Sequence, residues 1–251
     1  MRSAVVVLGL LALAPAGPAR AQALDSVSVP VADTARPVPV IRWWHGAAAA
    51  GGISMLMLLD HPMQRFAHDN RGTGADNVAG VVRHFGQPEV YGTVTLGLVG
   101  VGLLANRPGL ARVGGRLGAS LALAGGAVLV GKTVAGRPRP EQSLDADGYV
   151  PFSGQAAMPS GHTAAAFALA TSLADDIHRP WATVGLYGMA TAVGWSRIND
   201  NRHWLTDVTA GALVGITSAK LASGRWRIFH FRPPALIAAP GGMGLGWEGR
   251  F

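Results

Sequence analysis

The sequence predicts an all-α protein, a transmembrane bundle of six helices with a short hairpin-like tail at its C-terminal end. Of the 251 residues, 49% are hydrophobic and only 14% are charged, whereas ordinary soluble domains carry about 25% charged residues. The six helices correspond to six apolar segments that contain no Asp, Glu, Lys or Arg. These segments are Trp44–Leu59, Val90–Ala105, Leu117–Gly131, Thr163–Ala174, Trp181–Trp195 and Val208–Ala219.

Each apolar segment is shorter than the run of about 20 residues that crosses a bilayer. Flanking polar residues therefore have to lie within the helices if the segments are to span. Aromatic residues cluster at the ends of the segments, where the interfaces of a membrane favour them. They are Trp43, Trp44, Tyr91, Trp181, Trp195 and Trp204. We accordingly expect six membrane spans.

Four parts of the chain are expected from composition. Residues 1–21 resemble a secretory signal peptide or leader, with a basic start, an apolar run and the small-x-small sequence Ala19-Arg20-Ala21. Residues 22–42 are polar with scattered prolines, a composition that predicts a linker. Residues 43–221 form the predicted helical domain, and residues 222–251 form a C-terminal extension.

Two stretches outside the six segments also have a recognisable pattern. Apolar and charged residues are interleaved between His61 and Gly86, which predicts amphipathic helices on either side of the break at Gly72-Thr73-Gly74. In the tail, two short apolar runs flank Gly241-Gly242 and predict a β-hairpin. The sequence assigns no function to this tail.

The basic charge of the chain does not indicate a nucleic-acid partner. The net charge is +7, but the basic residues lie between apolar segments rather than in a basic stripe with interleaved aromatics. The chain contains no cysteine, so disulfides and thiolate metal sites are excluded. No obligate protein partner is evident from the pattern.

Three polar clusters at the ends of apolar segments carry the chemistry. The first has the spacing Lys132-x6-Arg139-Pro140, in a loop that proline stiffens. Cations on a short rigid loop are suited to clamping an anion. A basic loop at a membrane surface gives the same pattern. Arg137 lies in this loop and receives no assigned role.

The second cluster is Pro159-Ser160-Gly161-His162, directly before an apolar helical segment. Ser160 is a good N-cap residue, and Gly161 lets the backbone approach a ligand closely. The free N–H groups of the helix start attract a phosphate, and His162 would lie beside it. Alone, this tetrapeptide is also typical of an ordinary helix cap.

The third cluster is Ser196-Arg197-x5-His203-x3-Asp207. His203 and Asp207 are one helical turn apart and share a face. A carboxylate beside one ring nitrogen fixes the tautomer and leaves the other nitrogen free to attack. Arg197 has the planar fork that matches phosphate oxygens. Antiparallel helices would bring the three clusters to one end of the bundle.

Taken together, the clusters resemble the signatures of the type 2 phosphatidic acid phosphatase and vanadium haloperoxidase superfamily, in its membrane-associated phosphatase branch. All three match at full spacing, and the resemblance covers residues 43–221. It implies an all-α bundle and metal-independent hydrolysis of phosphomonoesters through a phosphohistidine, with no cofactor. The implied substrate is a lipid phosphate or pyrophosphate, and the implied neighbours are membrane lipids.

The resemblance also implies a role for each motif residue. His203 would be the nucleophile and Asp207 its orienting partner, while His162 would protonate the leaving group and then activate water. The phosphoryl oxygens would be bound by Lys132, Arg139, Ser160, Gly161 and Arg197. The substrate stays open among phosphatidic acid, phosphatidylglycerol phosphate, undecaprenyl pyrophosphate and lipid A.

Three other functions share parts of this pattern. A secreted, soluble periplasmic acid phosphatase would use the same motifs. A vanadium haloperoxidase would hold vanadate in the same pocket, but these enzymes have a larger helical framework than this chain offers. A non-enzymatic membrane protein would be expected if a motif residue were missing, and none is.

The expected orientation conflicts with the leader. The loop 106–116 carries Arg107, Arg112 and Arg116, so the positive-inside rule places it in the cytoplasm. The motifs then face the periplasm from the inner membrane, and residue 40 lies in the cytoplasm. Cleavage of the leader would leave that end outside. Either the leader stays, or a segment does not span, or the protein is a soluble periplasmic bundle; six spans are the favoured prediction.

Overall fold

The structure, a computed structural model, describes residues 4–8, 38–228, 235–239 and 242–249. Helices dominate it, as the sequence predicted. They are α1 (Trp43–Leu56), α2 (Asp60–Asp69), α3 (Thr73–Val82), α4 (Pro88–Leu104), α5 (Pro108–Ala135), α6 (Gly161–Ile177), α7 (Pro180–Asn199) and α8 (Leu205–Ala222). Short 3-10 turns at Met57–Leu59 and Arg83–Gly86 follow α1 and α3.

The six predicted apolar segments correspond to α1, α4, α5, α6, α7 and α8. All of these helices except α1 extend beyond their segments into polar residues, most of all α5, which has 28 residues. Helix α1 ends at Leu56, and the last three residues of its segment form a 3-10 turn. The amphipathic stretch forms α2 and α3 on either side of residues 70–72. The all-α prediction is therefore confirmed.

Proline and glycine explain several helix ends. Proline begins α4, α5 and α7, where its missing N–H costs nothing. Helix α5 ends at Gly136, which has a left-handed backbone with φ 54°. A side chain there would also collide with the carbonyl of Val150, so the turn that leads into the first polar cluster requires glycine.

The centre of the bundle is formed by α5, α6 and α8, which pack against one another. Helix α7 covers α6, and α4 covers α5. The contact between α6 and α8 is close because Gly211 and Gly215 of α8 face the backbone of α6. A Cβ atom at Gly215 would collide with the carbonyl of Ala164. Helix α6 buries mostly alanines.

Salt bridges fix the relative directions of these helices. Arg116, near the start of α5, lies 2.5 Å from Asp176 at the end of α6. Lys220, at the end of α8, lies 2.6 Å from Asp175. The opposite end of the bundle therefore collects the end of α5 and the starts of α6 and α8, where the three polar clusters lie.

Two small sheets involve the terminal parts of the chain. Strands β2 (Val40–Ile41) and β3 (Arg227–Ile228) pair in parallel, and they tie the residues before α1 to those after α8. Strands β4 (Ala235–Ala239) and β5 (Gly242–Gly249) form the predicted antiparallel hairpin, and β1 (Ala4–Leu8) adds to the free edge of β5. The rest of the expected leader and residues 22–37 of the linker lie outside the described residues.

Length and composition support one membrane span. Helix α5 is the one helix in the described part of the chain that is long and apolar enough to cross a membrane, and α4 is a shorter apolar helix. Of the six expected spans, helix length and apolar composition therefore support the one formed by α5.

Candidate active site

A cavity of about 530 Å³ opens at the end of the bundle where the polar clusters meet. The motif residues that line it are Lys132, Arg139, Gly161, His162, Arg197 and His203. The remaining lining residues are Arg71, Arg83, Gln87, Asp200 and Arg202. Asp207 and Ser160 are fully buried behind the wall and do not line the cavity. The structure thus brings residues from all three clusters to one cationic pocket.

The first cluster supplies two cations from different local structures. Lys132 lies in the last turn of α5, and its Nζ donates a hydrogen bond of 2.7 Å to the carbonyl of Ala156. Arg139 lies in the loop that follows, with Nη1 3.6 Å from Oε1 of Glu141. Both remain on the cavity wall, so both positive charges act on an anion placed there.

The second cluster begins α6, with Ser160 at the N-cap. The expected capping bond from the Ser160 hydroxyl is absent; instead, this hydroxyl accepts a hydrogen bond of 2.9 Å from Thr163 Oγ1. Its backbone N–H donates to the carbonyl of Asp207 at 2.9 Å. Ser160 therefore joins the starts of α6 and α8. Its predicted contact with a phosphoryl oxygen stays a prediction.

Gly161 and His162 form the first helical residues of α6 and face the cavity. A Cβ atom at Gly161 would meet only Val128, at an ordinary 3.6 Å, so packing does not require glycine there. The free N–H groups at this helix start favour an anion. This is compatible with the prediction that glycine leaves room for a ligand.

The charge state of His162 is set by its surroundings. Burial lowers the pKa of His162 to about 4, and the nearby cations, beginning with Arg197, add to the shift. Such a ring is neutral near pH 7 unless an anion binds beside it. A bound phosphate dianion would offset the cations and raise this pKa, so binding favours the protonated ring that a general acid needs.

His203 and Asp207 lie together at the start of α8. His203 is 5% exposed and Asp207 is fully buried, and Nδ1 of His203 lies 3.5 Å from Oδ2 of Asp207. This distance is longer than a good hydrogen bond, and Nδ1 has no hydrogen-bond partner among the described residues. Because Nδ1 faces the carboxylate, Nε2 is the ring nitrogen available for attack. Burial lowers the pKa of His203, against the opposing effect of Asp207.

Asp207 has two further partners that hold its carboxylate in place. Its Oδ2 accepts a hydrogen bond of 2.8 Å from the backbone N–H of Trp204, the N-cap residue of α8. Its Oδ1 accepts one of 2.7 Å from Nη1 of Arg137. The sequence left Arg137 without a role, and the structure places it directly behind the His203–Asp207 pair.

The outer rim of the pocket adds charges that the motifs did not include. Asp200 bridges Arg197 at 3.0 Å and Arg83 at 3.4 Å. Glu141 lies 3.6 Å from Arg139 and 2.6 Å from Arg202. Each motif arginine thus shares a carboxylate with an outer arginine. Only the fold brings Arg83 of the 3-10 turn after α3 to this site, so the local sequence gave no signal for it.

The donor set of this pocket is suited to anions. Within the described residues, no group of three or more His, Asp or Glu side chains is arranged to hold a metal ion. The cavity instead gathers cationic side chains around two histidines. An all-α bundle with an anion pocket at its helix ends is therefore the class of protein that the fold and the site define.

Comparison with known proteins agrees with this class. Residues 114–229 match the family model described as the PAP2 superfamily, which agrees with the resemblance that the three motifs predicted. A lipid A 1-phosphatase from Porphyromonas gingivalis is 44% identical over 108 residues, which make up 42% of this chain and 22% of that protein. The match thus spans about a fifth of the length of this curated relative.

Two solved structures share the fold. The crystal structure of Aquifex aeolicus LpxE aligns with a TM-score of 0.53 and 23% identity, over 66% of this chain and 95% of the other. A transmembrane PAP2-type phosphatidylglycerolphosphate phosphatase from Bacillus subtilis aligns with a TM-score of 0.52 and 20% identity, over 72% and 92% of the two chains. These likenesses confirm the predicted helical fold.

Proposed function

We propose that this protein is a phosphatase that hydrolyses phosphomonoesters through a phosphohistidine on His203. The observation that carries the proposal is the buried His203–Asp207 pair at the wall of a pocket lined by Lys132, Arg139 and Arg197. A nucleophile beside an orienting carboxylate, facing a group of cations, is suited to phosphoryl transfer.

In the first half-reaction, Nε2 of His203 attacks phosphorus and the bond to the ester oxygen breaks. Lys132, Arg139 and Arg197 stabilise the charge on the phosphoryl oxygens in the transition state. His162 gives its proton to the leaving oxygen, and the alcohol departs. Asp207 stabilises the positive charge on the phosphorylated ring.

In the second half-reaction, water attacks the phosphohistidine. His162, now neutral, accepts a proton from that water. The bond between phosphorus and Nε2 breaks, and inorganic phosphate leaves. Every proton and electron pair in this cycle is supplied by side chains of the pocket and by water, so the proposed reaction needs neither a metal nor a cofactor.

We propose that the substrate is a lipid phosphate or a lipid pyrophosphate. The similarity to a lipid A 1-phosphatase supports a lipid. So does the outer surface of the bundle, where large apolar side chains are exposed on α4, α5 and α7, among them Leu104, Leu129 and Val184. Exposed apolar side chains on three neighbouring helices are suited to contact with lipid chains. The outer arginines, including Arg83 and Arg202, favour a headgroup with several negative charges.

We further propose that the bundle lies in an inner membrane of bacterial type, with the pocket at its periplasmic surface. Only 22% of the apolar stretch of α5 is buried, unlike the core helix of a soluble protein. At the end of the bundle opposite the pocket, the short connection between α4 and α5 carries Arg107, and Arg112 and Arg116 follow in α5. The positive-inside rule places such a basic connection between apolar segments in the cytoplasm.

Activity is tested with the full chain and the variant His203→Ala. Phosphate release is measured from lipid monophosphates, lipid pyrophosphates and soluble phosphomonoesters, each with and without a chelator. We expect turnover of a lipid phosphate by the wild type in the presence of chelator and none by the variant. Unchanged turnover in His203→Ala contradicts the mechanism. The variant Arg225→Gln, at the far end of the bundle, serves as a matched control.

Location is tested by fractionation and by labelling. Recovery in the soluble fraction would favour the alternative of a soluble periplasmic acid phosphatase. Because the chain has no cysteine, Ser153→Cys at the pocket end and Ser223→Cys at the far end give labelling without background. Labelling of intact spheroplasts by an impermeant reagent at residue 153 alone is the expected result, and labelling at residue 223 alone contradicts the orientation.

A further inference from the structure

Arg137 is completely buried, and its guanidinium group connects three parts of the fold. Its Nε donates to the carbonyl of Ala146 at 2.8 Å. Its Nη1 donates to Asp207 Oδ1 and to Thr206 Oγ1, both at 2.7 Å. Its Nη2 donates to Asp60 Oδ2 at 2.5 Å. A buried arginine is stable only when it is paired and hydrogen-bonded, and here every nitrogen has an acceptor.

Asp60 is equally buried and belongs to a distant part of the chain, the first residue of α2. Its two oxygens accept hydrogen bonds from the backbone N–H of Thr206 at 2.9 Å and from its hydroxyl at 2.6 Å, in addition to the bond from Arg137. Asp60 therefore holds both Arg137 and the start of α8, the helix that carries Asp207.

We propose that Arg137 and Asp60 are positioning residues for the nucleophile, an inference that rests on the proposed function. Arg137 fixes the Asp207 carboxylate so that Oδ2 stays directed at His203. Asp60 supplies the second negative charge that Arg137 requires. Neither residue lines the cavity, so both act through Asp207 rather than on the substrate.

The arrangement has an electrostatic consequence for His203. Arg137 lies between two carboxylates, so the group Asp60–Arg137–Asp207 carries one net negative charge behind the imidazole. Without Asp60, the positive charge of Arg137 would cancel the negative charge of Asp207. The carboxylate of Asp207 would then stabilise a positively charged His203 ring less strongly. Without Arg137, two carboxylates would remain behind the ring.

These changes act on His203 against a fixed background of other charges. Apart from this triad, the charged and titratable groups that act on His203 or share its pocket are Lys132, Arg139, His162, Arg197, Asp200, Arg202, Arg71 and Arg83. Two further titratable groups lie next to its neighbours, since Tyr149 contacts Arg137 and His61 contacts Trp204. None of them is altered in the variants below, so a change in the titration of His203 reports on the triad.

The test uses Asp60→Asn and Arg137→Gln in the full-length protein. We expect kcat to fall in both, on the order of 10-fold to 100-fold, the range found for residues that orient the side chains around a catalytic metal. The inhibition constant of inorganic phosphate should remain near the wild-type value, because the cations of the pocket are intact. Arg225→Gln is the control, and its kcat should equal that of the wild type.

The decisive readout is the acid limb of the pH profile of kcat, since His203 must be neutral to attack. Removing the charge of Asp60 lowers the pKa of His203 and moves this limb to lower pH. Removing the charge of Arg137 raises that pKa and moves the limb to higher pH. Arg137→Lys keeps the charge without the fork, so its limb should match the wild type while kcat stays reduced. A purely structural role would not move the two limbs in opposite directions.

A second variant keeps the proposal testable if Asp60→Asn does not fold. Thr206→Val keeps every charge and removes the hydroxyl that connects Asp60 with Arg137. We expect a lower kcat with an unshifted acid limb. The positioning proposal is overturned if both charge variants keep wild-type kcat, or if their limbs shift in the same direction. Turnover that survives in His203→Ala would instead overturn the proposed function itself, so the two failures are distinguishable.

Discussion

The Nδ1 atom of His203 lies 3.5 Å from Oδ2 of Asp207, while the other oxygen of that carboxylate is held by Arg137 at 2.7 Å. The carboxylate is thus fixed on one side and close to the imidazole on the other. A hydrogen bond between Nδ1 and Oδ2 would set the tautomer of the ring. This relationship leads to the first prediction.

Asp207→Asn should leave the pocket intact and nearly abolish turnover. An amide can donate to Nδ1 and so favours the wrong tautomer, and it cannot stabilise a charged ring. The expected loss of kcat is on the order of 10³-fold to 10⁴-fold, as for the equivalent change in serine protease triads. Steady-state kinetics gives the result, with phosphate inhibition as the check on folding. A loss below 10-fold would contradict an orienting role.

Arg197 should be far more sensitive to substitution by lysine than an arginine outside the pocket. Its guanidinium lies on the cavity wall and is held by Asp200 at 3.0 Å, and lysine cannot reproduce the fork. Arg197→Lys is expected to lower kcat on the order of 10²-fold. The matched control is Arg179→Lys at the far end of the bundle. Equal activity of the two variants would exclude Arg197 from the transition state.

His162 should take up a proton when phosphate binds. Burial and neighbouring cations hold its pKa at about 4, so the ring is neutral at pH 6 without a bound anion. A phosphate dianion opposes those cations and raises the pKa. Histidine NMR of the protein, with His162→Asn to assign the signal, measures this pKa with and without inorganic phosphate. A pKa that phosphate leaves unchanged would argue against His162 as the general acid.

The close contact between α6 and α8 should depend on Gly215. A methyl group there collides with the carbonyl of Ala164, and helices forced apart lose packing worth about 1–3 kcal/mol. Gly215→Ala should therefore lower the midpoint of thermal unfolding in detergent. Gly125→Ala is the matched control, because its Cβ would meet nothing within 4 Å. A Gly215 variant as stable as this control would contradict the helix packing described above.

The sequence was sufficient for the helices and for most of the pocket, because both depend on local patterns. Charge-free segments predict helices, and polar clusters at their ends predict a common site. Arg137 could not be assigned in this way, since its partners Asp60 and Asp207 are 77 and 70 positions away. The Ser160 hydroxyl was expected to cap α6 by accepting a hydrogen bond from a backbone N–H. It accepts one from the Thr163 hydroxyl instead. Arg71 and Arg83 reach the pocket only through the placement of α3 in the fold, which no local pattern specifies.

The most direct test is to trap the phosphoenzyme. With His162→Ala and a phosphate ester whose alcohol leaves without a proton, such as p-nitrophenyl phosphate, His203 should still be phosphorylated. Hydrolysis should then be slow, because the residue that activates water is missing. Rapid quenching is expected to show one equivalent of nitrophenolate released per protein and an acid-labile phosphoryl group on His203. No burst and no labelled histidine, in a variant that still binds phosphate, would contradict a phosphohistidine mechanism.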